Sequence, residues 1–145
     1  MAAVSPSAVR ASQAVRAVIG RLRRRIRASG GTEGITLSQG SVLARLTDNE
    51  GLAVSDLAAI EGVRHQSMAA TVSALAALAL VERRPDPADG RRQLIALTAE
   101  GRHRAEAGRQ ARGEWLAGEL EHKCTEAERQ TVIAAMAVLE RIAHD

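Results

Sequence analysis

The chain has 145 residues, enough for one domain with a buried core and too few for an elaborate multi-domain enzyme. Hydrophobic residues make up 46% and charged residues 26%, which excludes a disordered or fibrous chain. The formal net charge of +3 permits an anionic partner without demanding one, and the lone Cys124 excludes an internal disulfide.

With no Phe, no Tyr and only Trp115, the core has to be built from Leu, Val, Ile, Met and Ala, side chains that suit closely approaching helices. No stretch resembles a secretory leader or a membrane span, so a cytoplasmic location without membrane contact is expected.

Behind Ser5 and Pro6, Val15, Val18, Ile19, Leu22 and Ile26 recur at helical spacing and predict one long helix from Pro6 to about Ala28, stopped by Gly30 and Gly31. Its other face carries Arg21, Arg23, Arg24, Arg25 and Arg27, the pattern of a solvated helix face. Thr36 and Gln39 have the spacing of a capping box and open a second helix that buries Val42, Leu43 and Leu46 and ends near Gly51. A short third helix is expected with Ser55 as its N-cap, Leu57 and Ile60 buried, and Gly62 as its stop. A fourth follows after only Val63 and Arg64, running from His65 to Ala79 with Met68, Val72, Leu75 and Ala79 on its inner side.

The stretch RRPDPADGRRQLIALT, residues 83–98, then switches from helical to alternating periodicity and reads as a β-hairpin whose turn is set by two prolines and Gly90. Thr98 caps a long arginine-rich helix to about Lys123, and a second capping box, Thr125 and Glu128, opens a last helix expected to bury Val132, Ile133, Met136, Leu139 and Ile142.

Two helices joined around a glycine and followed at once by an arginine-rich hairpin form a winged helix-turn-helix pattern. Arg83, Arg84, Arg91 and Arg92 repel one another at a hairpin tip unless a polyanion neutralises them, and the minor groove of DNA is narrow and strongly negative. The competing account is an ordinary surface hairpin whose arginines pair with Glu82, Asp86 and Asp89. With Met68 buried, helical phase turns Gln66, Ala70, Ser73 and Ala77 outward, flanked by Ser67, Ala69 and Ala74. Gln can bond an adenine edge, Ser a phosphate or a base, and Ala can touch a thymine methyl. Arg64 and His65 stand at the helix start, the end of a recognition helix that reaches deepest into the groove, although His65 could instead turn inward and cap the helix. The alanines leave open a helix packed on both sides.

Three stretches, ITLSQGSVLARL, VSDLAAIEGVRHQSMAATVSALAALALVERR and DPADGRRQLIALTAEG, resemble the MarR family of bacterial transcriptional regulators. The resemblance is most specific in the wing, where Asp89, Gly90, Arg91, Leu97, Thr98 and Gly101 fall at the family's spacing. It implies a mainly helical fold with a small β-hairpin wing: a winged helix-turn-helix lobe over residues 36–98, and dimerisation helices over 6–30 and 99–145. It also implies a homodimer on double-stranded DNA, with Arg91 entering the minor groove, Asp89 bracing it, and Arg84 and Arg92 beside it. A small-molecule effector between the dimerisation helices and the lobe would release a palindromic operator, the behaviour of a ligand-responsive repressor.

The chain departs from the family at Ala70, where an arginine is frequent, at Ala74, where a polar or basic residue is, and at Ala79, where a glycine is. The loss at Ala70 favours a rival from another class, a helical protein-interaction module whose winged lobe no longer reads DNA. An enzyme is not expected, since no nucleophile–base pair, paired carboxylates or phosphate-cradling loop stands out, and Ser67 and His65, two apart on a helix, do not face each other. His122 and Cys124 lack the companions of a metal site, and no cofactor is expected. Cys124 reads as a small buried hydrophobe leading into the last helix, and Trp115 as an anchor against a partner helix.

Overall fold

A computed structural model describes residues 4–31 and 34–144. Six helices and one hairpin follow in the order α1 (Pro6–Ser29), α2 (Leu37–Asp48), α3 (Val54–Glu61), α4 (His65–Ala77), β1 (Val81–Pro85), β2 (Gln93–Leu97), α5 (Ala99–Lys123) and α6 (Glu126–Ala143). The chain divides into two compact units, residues 1–112 and 113–145.

In the first unit, Val42, Leu43 and Leu46 from α2, Leu57 and Ala58 from α3, and Met68, Val72 and Leu75 from α4 meet Leu80, Val81, Ile95 and Leu97 of the hairpin in one aliphatic core. The antiparallel pairing aligns Val81 with Leu97 and Arg83 with Ile95, and Leu52 adds a single bridge through the Ile95 N–H, 2.8 Å from the Leu52 carbonyl. The wing is thereby sewn to the segment before α3.

Local chemistry sets the boundaries. Ser5 and Thr36 accept N–H groups of the first turns of α1 and α2, and Thr36 with Gln39 completes the expected capping box. Thr98 ties two elements together, its hydroxyl accepting the Gly101 N–H at 3.0 Å and donating to the Ala79 carbonyl at 2.7 Å. Gly101 is buried because the start of α5 lies directly on the backbone of Leu80. A Cβ there would stand 1.9 Å from the Leu80 carbonyl oxygen.

α4 closes with the paired hydrogen bonds of a Schellman motif, Leu80 N–H to Leu75 at 3.0 Å and Ala79 N–H to Ala76 at 2.9 Å. That closure requires a left-handed residue, and Ala79 adopts it at φ 57°.

Several expectations are corrected. α3 begins at Val54 and not behind Ser55; its N-cap is Ala53, whose N–H is accepted by the Asp56 carboxylate at 2.8 Å. Val54, Leu57 and Ala58, at i, i+3, i+4 spacing, form its buried face, and Ile60 is exposed. α4 ends at Ala77, and Ala79 lies outside it, exposed.

In the second unit the capping box of Thr125 and Glu128 forms as expected. The apolar stripe behind it is not buried within this unit: Val132, Ile133, Met136 and Ile142 are exposed and Leu139 is half-buried. Cys124 is half-buried, and its carbonyl accepts the Arg129 guanidinium at 2.8 Å. α1 likewise buries no residue completely, with Val18, Ile19 and Leu22 exposed.

Candidate nucleic-acid interface

α4 is held to the core by Met68, Val72 and Leu75. The opposite side presents Gln66, Ser67, Ala70, Ser73 and Ala77 to solvent, with Ala69 and Ala74 half-buried at its margins. This is the phase expected from the sequence, and it excludes a helix packed on both sides. Arg64 is the N-cap residue and makes no side-chain cap. His65 is exposed and does not turn inward. The turn into α4 is short because Gly62 adopts φ 66° and lets the Val63 N–H reach the Ala58 carbonyl at 3.0 Å.

The wing tip is built by two aspartates that bond the backbone two residues on. Asp86 accepts the Ala88 N–H at 2.8 Å and Asp89 accepts the Arg91 N–H at 3.0 Å. Two backbone bonds, Asp86 N–H to Arg92 and Arg92 N–H to Asp89, each 2.9 Å, close the loop around exposed Gly90. Asp89 therefore braces Arg91 through its amide and not through its guanidinium.

The four wing arginines differ in electrostatic state. Arg84 pairs with Glu82, and Arg92 pairs with Asp56, the same carboxylate that caps α3. Arg83 and Arg91 are exposed and have no acidic partner among the described residues. The surface-hairpin alternative is thus half realised: Glu82 neutralises one arginine, whereas Asp86 and Asp89 spend their oxygens on backbone N–H groups.

Sequence reasoning missed Asp56 and Glu61. Asp56 could have been found as an acidic residue three places after the true N-cap. Glu61, the last residue of α3, has a side chain only 9% exposed, yet takes the Ser41 hydroxyl at 2.8 Å, the Arg45 guanidinium at 2.8 Å and the Arg27 guanidinium at 3.6 Å. Burial raises its pKa, but hydrogen bonds from Arg45 and Ser41 and the charges of Arg45 and Arg27 outweigh that and hold it below the ordinary carboxylate range.

Beside this cluster a cavity of about 390 Å³ opens between α1 and α2, walled by Ile19, Leu22, Ile26 and Ile35 and reached by Arg27 and Arg45. Among the described residues no three His, Cys, Asp or Glu side chains converge to hold a metal ion. None of the helices is long and apolar enough to cross a membrane among the same residues.

Comparison with known proteins fits this geometry. Residues 33–92 match the model of the MarR family. The chain is 37% identical over 100 residues to an HTH-type transcriptional regulator of Mycobacterium bovis, covering 69% of this chain and 70% of that one. A transcriptional regulator of Pseudomonas aeruginosa shares the structure with a TM-score of 0.80 at 27% identity, over 98% of this chain and 99% of that one. A mutant of MarR from E. coli shares the fold with a TM-score of 0.75 at 22% identity, over 96% and 98%.

Proposed function

The chain belongs to the MarR family of DNA-binding helix-turn-helix transcriptional regulators, and from that premise we propose that it acts in the cytoplasm as a homodimeric, ligand-responsive repressor of a palindromic operator. In this reading α4 lies in the major groove. Gln66 reads an adenine edge, Ser67 and Ser73 bond bases or phosphates, and Ala70 offers only a methyl contact. Arg64 and His65, exposed at the N-terminal end of the helix, supply the contacts nearest the base edges.

The wing enters the adjacent minor groove with Arg91, on a tip shaped by Asp89 and Gly90. Arg84 and Arg92 flank it against the phosphate walls and contribute less, since each is already held by one carboxylate. The observation that carries this reading is the exposed Arg91 guanidinium, standing without an acidic partner among the described residues on a tip its own backbone bonds make rigid.

Dimerisation is supported by the apolar side chains the protomer leaves in water, Val18, Ile19 and Leu22 on α1 and Ile133, Met136 and Ile142 on α6. A two-fold pair of lobes would set its recognition helices about 34 Å apart, one turn of the duplex. The effector site is the cavity between α1 and α2, of a size that suits a small molecule. Ligand there acts only through unequal affinity for the DNA-competent and DNA-incompetent spacings of the lobes.

An electrophoretic shift with duplex from upstream of the protein's own gene, paired with sedimentation of the complex, tests the proposal. Two chains per duplex and affinity that falls steeply with salt are expected. A flat salt response or a one-to-one complex would refute it.

A further inference from the structure

Resting on the regulator reading above, we infer that the ion pair between Asp56 of α3 and Arg92 of the wing is a gauge: it fixes how far apart along one duplex the major-groove contacts of α4 and the minor-groove contact of Arg91 must lie. Asp56 is thus a positioning residue for sequence selection, acting through Arg92.

The wing is fastened to the lobe at two polar points. Nearer the core, the Ile95 N–H donates to the Leu52 carbonyl at 2.8 Å. Nearer the tip, the Arg92 guanidinium meets the Asp56 carboxylate, the one polar contact between residues 86–92 and the lobe among the described residues. The second point lies three residues from the first along the wing, from 95 to 92, and four along the lobe, from 52 to 56. A single fastening is a pivot. Two that are separated by about 10 Å of extended chain set an angle as well as a position.

Both ends of the outer fastening are stiff. The Asp56 oxygen that takes Arg92 also takes the Ala53 N–H at 2.8 Å, and α3 buries Val54, Leu57 and Ala58 in the core that holds α4. On the wing side, the Arg92 N–H donates to the Asp89 carbonyl and the Arg92 carbonyl accepts the Asp86 N–H, each at 2.9 Å. The residue that carries the fastening therefore also closes the loop beside Arg91, and the tip moves with it. Both side chains remain partly in water, where an ion pair adds little to overall stability, so the contribution of this one lies in the angle it holds.

That angle matters for reading DNA. A guanidinium is held most strongly in the narrow minor groove of an A·T tract, whereas α4 meets base edges in the major groove. With the two readers at a fixed separation, a duplex whose A·T tract is displaced by one base pair satisfies only one of them.

Selection from a random duplex pool, followed by titrations on the selected half-site with its A·T tract moved one base pair either way, tests the inference. Wild type is expected to prefer one separation by at least about fivefold, the low end of the cost of one mismatched position. Asp56→Asn keeps an acceptor for the Ala53 N–H and removes the charge that holds Arg92. Arg92→Ala removes the other partner. Both variants are expected to bind all three separations alike, with unfolding transitions near that of wild type. They change the net charge in opposite directions, so attraction to phosphate as such predicts opposite shifts in affinity and an unaltered preferred separation. Should Asp56→Asn fail to fold, Arg92→Ala decides, since Arg92 is exposed and lies outside the helices and strands.

A wild type indifferent to separation, or variants that keep its preference, would overturn the inference and leave the regulator reading standing. A wild type that recovers no duplex from the pool sinks that reading, and the inference with it.

Discussion

The carboxylate of Asp89 accepts the backbone N–H of Arg91 at 3.0 Å and makes no ion pair with its guanidinium. The acid thereby fixes where the base points without neutralising it. Asp89→Ala removes the turn bond, worth about 0.5–1.5 kcal/mol, and is expected to weaken operator binding roughly three- to tenfold while leaving the unfolding transition almost unmoved. Asp89→Asn keeps the acceptor and removes a negative charge facing DNA, so its affinity in the same gel-shift titration should equal or exceed wild type. An Asn variant as weak as the Ala variant would show that the negative charge itself matters.

Ala79 closes α4 in the left-handed region, at φ 57°, with an exposed side chain that contributes no packing to offset the strain. Ala79→Gly is expected to raise the free energy of unfolding by about 1 kcal/mol, since an L-residue in that conformation costs about 1–2 kcal/mol and glycine nothing comparable. Denaturant titration measures this directly, and a lower midpoint would refute the strain argument.

Gly101 is the opposite case, a glycine required by contact and not by dihedral angle. With a Cβ only 1.9 Å from the Leu80 carbonyl oxygen, Gly101→Ala must push α5 off the hairpin. Destabilisation of about 3 kcal/mol or more is expected, in the range of severe overpacking. Thermal unfolding near the wild-type temperature would show that the helix start can shift freely.

Glu61 gives the fold a specific acid sensitivity. Its folded pKa lies below the ordinary carboxylate value, so its stabilising contribution is complete above the unfolded pKa and is lost as pH falls through the folded one. The difference in unfolding free energy between wild type and Glu61→Gln should therefore be constant from neutrality down to about pH 5 and shrink below about pH 4.3. A difference that persists unchanged at lower pH would contradict the ion cluster.

The elements were legible wherever the signal is local. Thr36 with Gln39, Thr125 with Glu128, and Thr98 before α5 cap the helices they were expected to cap, and Ile95 and Leu97 point inward at strand periodicity. What stayed hidden depends on residues far apart in the chain. Nothing in the spacing of Arg92 and Asp56, 36 residues apart, says that they pair, and the three partners of Glu61 come from two other helices. α3 was misplaced because Ser55 is the better cap by type, while Asp56 caps the Ala53 N–H from inside the helix. The stripe on α6 was read correctly as apolar, but periodicity shows that a face is apolar and not which element covers it. In the wing the positions of the arginines were plain; which of them the protein itself neutralises was not.

DNA binding by the wing turns on the exposed Arg91 guanidinium, so the most direct measurement is the affinity of Arg91→Ala for duplex from upstream of its own gene, across a salt series, with folding and oligomeric state checked alongside. Loss of at least about tenfold in affinity and a salt slope smaller by about one counterion are expected, with the protein otherwise intact. Affinity and slope equal to wild type would contradict it.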